Sequence, residues 1–231
     1  MKQKLLAIVK AGQEREAELD ALCFDAPADP RGRWAAKDHL AHLAWWRSRR
    51  ARLIDAVRSG VGAPTPVETE TQNANIYEEN RDRSVAEIKQ DARASWAALK
   101  SAIEACTEED LAKPHPGAPD AELWETVPGD GGHLGTHLMF WYLDNQDEQR
   151  AEAAELWAYD LESSAFPDPA KRADATYNLA CFYSRVGRAD DSVRLLRESF
   201  RAKPDLIALA RRDPDLDPLR RHPELDRLLA T

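Results

Sequence analysis

Apolar residues recur at helical spacing along most of the chain. Leu5, Ile8, Val9, Leu19 and Leu22 fall on one side of a helix over residues 2–22. The stretch from Asp25 to Gly32, with two prolines and a glycine, breaks it. A second helix is predicted from near Trp34 to about Ser59, with Leu40, Leu43, Leu53, Ile54 and Val57 on its apolar side. Gly60 to Pro66 ends it. Residues 67–81 are polar and ambiguous. Ser84 and Glu87 form a capping box, and Val85, Ile88, Ala92, Trp96, Leu99 and Ile103 make a clean stripe behind it. Residues 107–111 turn once more. Lys113 to Asp130 is rich in proline, glycine and acid, with Leu123 and Trp124 as anchors, and a fourth long helix is predicted from near Gly132. Four amphipathic helices without an alternating strand pattern predict an all-α bundle over residues 1–164.

Residues 165–169, with two prolines, read as a linker to a second domain at 170–231. There the spacing changes. Leu179, Ala180, Tyr183, Gly187, Ser192, Leu196, Ser199 and Pro204 sit at the relative positions of one tetratricopeptide repeat, with serines replacing the usual alanines at two of them. The unit resembles that family: a helical hairpin with Tyr183 and Leu196 in the seam. One repeat cannot bury its face alone, so it is expected to dock on the bundle or on another chain. Two motifs, Asp213–Leu219 and His222–Leu225, read as short capping turns.

Composition narrows the partners. The net charge of −9 argues against a general nucleic-acid or anionic-membrane surface. Arg47, Arg49, Arg50 and Arg52 read as a solvated helix face. Cys23, Cys106 and Cys181 are far apart, odd in number and without a CxxC, so each reads as a small buried residue rather than a nucleophile or zinc thiolate. No apolar run approaches the ~20 residues of a membrane span, and the N-terminal run is too short for a signal peptide. A cytoplasmic setting is expected.

Histidines carry the candidate chemistry. His133 and His137 are four apart, on one face of the predicted fourth helix. His39 and His42 are three apart on the second. If the two helices pack together, three imidazoles converge and leave a fourth position open, as in a catalytic zinc site. The alternative is that His133 and His137 lie partly exposed near a helix start while His42 is a satisfied core histidine. His115 and His222 read as surface groups. Asp38, Glu125 and Asp130 are candidate bases, with Asp38 better placed to cap the second helix. The aromatics Trp45, Trp46, Phe140, Trp141 and Tyr142 read as core.

The segment from Trp34 through Lys37-Asp38-His39-Leu40-Ala41-His42-Leu43, the region of Asn75, Tyr77, Asn80 and Arg81, and His133 with His137 together resemble the DinB-like four-helix superfamily over about residues 1–150. Within it, the similarity is closer to the ClbS/DfsB branch. The resemblance implies a divalent metal, zinc or nickel, held by His42, His133 and His137. His39 falls where the family carries an apolar residue, and is assigned to the second shell or the core. The resemblance also implies a hydrolase or a thiol or group transferase acting on a small molecule, with a protective role in the ClbS/DfsB branch. The competing class is a non-catalytic scaffold that binds a protein partner through residues 170–231. A homodimer fits either.

Overall fold

The structure, a computed structural model, describes residues 1–24 and 32–230. The predicted break at 25–31 lies outside them. Among the described residues the structure is all-α apart from one small hairpin, and the chain divides into two compact units, Met1–His137 and Leu138–Thr231.

The first unit is built on α1 (Lys2–Leu22), α2 (Ala36–Ser59), α3 (Thr69–Asn80) and α4 (Val85–Ala105). A short α5 (Glu108–Leu111) and an antiparallel hairpin of β1 (Pro114–His115) and β2 (Ala118–Glu122) follow. Then comes α6 (Pro128–Asp144), whose N-terminal part belongs to this unit. Helices α2 and α4 pack along each other and α1 lies on both. The predicted stripe of α4 is the core: Ile88, Trp96, Leu99 and Ile103 are all buried. Its capping box forms as read, with Ser84 Oγ accepting from the Glu87 amide and Glu87 accepting from the Ser84 amide. Gly12 marks the closest approach of α1 to α4. A methyl group there would stand 2.4 Å from Cη2 of Trp96, so any larger residue would force the helices apart.

Two boundaries differ from expectation. Residues 69–80 form a helix, not an ambiguous segment. Glu68 caps it by accepting from the Glu70 and Thr71 amides, and Ile76 pins it to the core. Helix α6 starts at Pro128, earlier than Gly132. Proline suits a first helical turn because the amide it lacks has no intrahelical partner there, and a 3₁₀ turn at Leu123–Thr126 leads into it.

The second unit holds the rest of α6, α7 (Glu148–Ala165), α8 (Pro169–Arg185), α9 (Ala189–Ala202), α10 (Leu206–Ala210) and α11 (Pro223–Leu229). The stretch 165–169 lies inside this unit. Asp168 caps α8 by accepting from the Ala170 amide, with Pro169 in the first turn. Helices α8 and α9 form an antiparallel hairpin that turns at Gly187, whose φ of 76° is a left-handed conformation that glycine adopts freely. The serines at the two alanine positions have a physical reason. Ser192 Oγ donates to the Ala180 carbonyl at 2.6 Å and Ser199 Oγ to the Ala173 carbonyl at 2.9 Å. These bonds cross the seam between the helices, where both hydroxyls are fully buried. The hairpin's apolar surface is covered within the unit by α7, α10, α11 and the 3₁₀ turn at Pro214–Leu219.

Candidate metal centre

The N-terminal turns of α2 and the first half of α6 carry the four histidines. Asp38 fixes the start of α2 by accepting from the Ala35 amide at 2.8 Å, which is the capping role read from sequence. One turn of helix then presents His39 and His42 together, and one turn of α6 presents His133 and His137 to them.

The side chains meet. Nε2 of His42 lies 3.0 Å from Nε2 of His133, which lies 3.1 Å from Nε2 of His137. One nitrogen from each of these three residues falls within 4.8 Å of the others. A tetrahedral zinc site with metal–nitrogen bonds of 2.0–2.1 Å places its ligand nitrogens roughly 3.3 Å apart, which the two separations from His133 approach. His39 is not set apart from this group. Its Nδ1 lies 2.7 Å from Nδ1 of His137, on the side of that ring facing away from the other two histidines.

The cluster is neutral and mostly buried. His39, His42 and His137 are buried and His133 half-buried. Burial drives all four imidazoles below the usual histidine range. His39, with a further contribution from His42, and His42 itself fall to about 4. His133 and His137 fall well below the ordinary value; after burial, His42, Arg50 and Arg47 act on His133, and the other three histidines act on His137. Neutral imidazoles are the form that binds a metal. Aromatic rings close the site. Trp34 stacks on His137 at 5.9 Å between centroids and sits 5.3 Å from both His39 and His42, with Tyr77 of α3 stacked behind it at 6.1 Å.

The candidate bases have other work. Asp130 is buried and paired with Arg50 at 2.5 Å. Glu125 accepts from the Glu122 amide. His115 accepts from the Gly117 amide, and His222 caps α11. All three cysteines are buried, and burial pushes the Cys23 thiol up to about 12. A second grouping, Cys181 with Asp213 and Asp215, is accounted for by its partners: Tyr177 donates to Asp213 at 2.7 Å, and Arg185 pairs with Asp215.

The arginine face is a correction. Arg47 is only 1% exposed and pairs with Glu16 of α1, so α2 does not present all four arginines to solvent. The roles of Trp34 and Tyr77 as a lid of stacked rings were also not legible in spacing, because their partners come from separate helices.

A pH dependence follows for the metal-free protein. The four histidines bind protons in the unfolded chain near pH 6.5 but resist them when folded. Between about pH 6.5 and 4 the unfolded state therefore holds more protons, and stability falls as pH falls, by up to ~1.4 kcal/mol per pH unit for each such histidine. Urea unfolding at pH 7.5 and 5.5 measures this. Burial raises the Glu155 carboxyl to about 7, which works in the opposite sense, so higher stability at pH 5.5 than at 7.5 would mean that the imidazoles are not held neutral.

No curated protein and no solved structure matches the chain significantly. The sequence model of the DinB superfamily matches residues 15–140. That span carries α2, α3, α4 and all four clustered histidines, and covers more than half of the chain: it belongs to the DinB superfamily.

Proposed function

We propose that His42, His133 and His137 hold a divalent metal, zinc or nickel, and that the protein is a metal-dependent enzyme acting on a small molecule. The observation that carries this reading is the convergence of three neutral imidazoles, His42 and His137 buried and His133 half-buried, two from α6 and one from α2, with Nε2 of His133 3.0 and 3.1 Å from Nε2 of the other two. Three imidazoles suit zinc or nickel rather than calcium or magnesium, which prefer oxygen ligands. When bound, such an ion lowers the pKa of water or a thiol at its open position and so supplies a nucleophile at neutral pH.

The chain's own residues do the rest. If Nε2 of His137 held the ion, its Nδ1 would carry the proton and donate to Nδ1 of His39, 2.7 Å away, which would fix ring and tautomer together. Trp34 keeps bulk water from the His39 side. Burial, then His42, Arg50 and Arg47, hold His133 deprotonated, and so ready to bind, at mildly acid pH. Hydrolysis or thiol-group transfer on a reactive small molecule, as the likeness to the ClbS/DfsB branch implies, is the reaction class. Elemental analysis of protein purified without a histidine tag tests the reading. About one zinc or nickel per chain is expected, and a metal-free protein that takes up neither ion on addition would refute it.

A further inference from the structure

A cleft of about 680 Å³ opens within the first unit, and its wall residue Trp46 neighbours His42 of the cluster. Trp46, Arg49, Arg50 and Leu53 of α2 form one wall, the loop of residues 63–67 another, and His115 at the tip of the β-hairpin a third. One of these side chains borders the histidine cluster, and another pairs with a neighbouring residue on α6. The Trp46 ring lies 6.3 Å from the His42 ring, and its Nε1 donates to Asn73 at 3.0 Å, which fixes the indole in the wall. Arg50 pairs with Asp130, one turn before His133 on α6, and acts electrostatically on both His133 and His115.

The charge in the cleft runs against the rest of the molecule. The chain carries −9 overall, yet the described residues lining this cleft include two arginines and no aspartate or glutamate. Asp130 offsets Arg50 from behind, and Arg49 keeps its charge while donating to the Thr65 carbonyl at 2.5 Å. An arginine has five N–H donors, so both guanidiniums retain donors for an oxyanion. Trp46, Leu53, Pro64, Pro66 and Val67 supply an apolar bed. A few polar groups set into an apolar wall is the usual composition of a small-molecule site.

We propose that this cleft binds an organic anion with an aromatic or apolar body, its acidic group on Arg49 and Arg50, and that it is the substrate site of the metal centre. The assignment as substrate site rests on the metal reading; binding of the anion itself does not. The probe is 1-anilinonaphthalene-8-sulfonate, compared with its neutral analogue N-phenyl-1-naphthylamine, titrated by fluorescence into the full chain. The titrations are run after chelator treatment and again with added zinc. Saturable one-to-one binding of the sulfonate is expected. Arg49→Gln should weaken it about tenfold, Arg49→Lys should recover most of the loss, and neither should change binding of the neutral analogue. Ala63→Trp, an exposed position in the loop wall, should weaken both probes by filling the cleft. Equal sulfonate binding by Arg49→Gln and the wild type, or loss of both probes in Arg49→Gln, would overturn the proposal. Sulfonate discrimination in a protein that takes up no zinc leaves the anion site standing and removes the metal reading. Zinc uptake without that discrimination removes the anion site alone.

Discussion

Arg47→Ala is expected to cost about 3–5 kcal/mol of stability, the penalty of leaving one half of a buried ion pair behind. Arg47 is held by side chains of α1 and α4. Its guanidinium pairs with Glu16, donates to Ser95 Oγ at 2.8 Å and lies 3.6 Å above the centroid of the Trp96 ring. Glu16 also accepts from Trp96 Nε1 at 2.7 Å. The network therefore ties α1, α2 and α4 together at one depth in the core. Removing the arginine strands the Glu16 carboxyl, whose pKa burial already raises against the pull of Arg47. The sign of the pH effect follows. In Arg47→Ala the folded-state pKa of Glu16 lies above its unfolded value. The variant's deficit is then smallest below about pH 4, where Glu16 is protonated in both states, and grows as pH rises through the folded value. Urea unfolding of wild type and variant at pH 5 and pH 8 measures it. Taking the difference between the two proteins cancels the contributions of His39, His42 and His137, while His133, freed of the Arg47 charge, adds an effect of the same sign. Replacing Glu16 and Arg47 together by apolar residues of similar volume should recover most of the loss. A single-variant cost below about 1 kcal/mol, the range of an exposed pair, would show that the network does not hold the helices.

What could be read in advance follows from how far apart the determinants lie in sequence. Helix α4 was legible because its cap and its stripe are local: Ser84 meets Glu87 one turn away, and Val85 to Ile103 repeat with the helical period. Helix α3 was not, because only Ile76 of its twelve residues is buried, and one apolar position has no period. The pairing of His133 with His137 was visible as spacing. The contact of His39 with His137 was not, since it depends on how α2 is rotated against α6. Arg47 misled for the same reason. Three neighbouring arginines suggested a wet face, and its true partners, Glu16 and Trp96, come from other helices. The aromatic lid shows the same limit, as Trp34 precedes α2 and Tyr77 belongs to α3.

The histidine series should separate ligands from the residue that orients one of them. Zinc that binds only the folded state raises the wild-type melting temperature by mass action, by an amount equivalent to ~4 kcal/mol at a thousandfold excess over Kd. His42→Ala, His133→Ala and His137→Ala should each abolish that rise, because two imidazoles remain from a set of three. His39→Ala keeps all three and loses the partner of Nδ1 of His137, along with the contact to Trp34. Its zinc affinity should fall 10–100-fold, the usual cost of removing such a partner, so the rise shrinks but survives. His39→Gln, whose amide oxygen can accept in place of the imidazole, should restore part of it. The quantity compared is the difference with and without zinc for each variant, since losing a buried imidazole also changes the stability of the metal-free protein. If His39→Ala abolished the response while His42→Ala kept it, the third ligand would be His39 and the α2 half of the site would shift by one turn. If the wild type showed no response and bound no metal, the four histidines would be a packed polar core closed by Trp34.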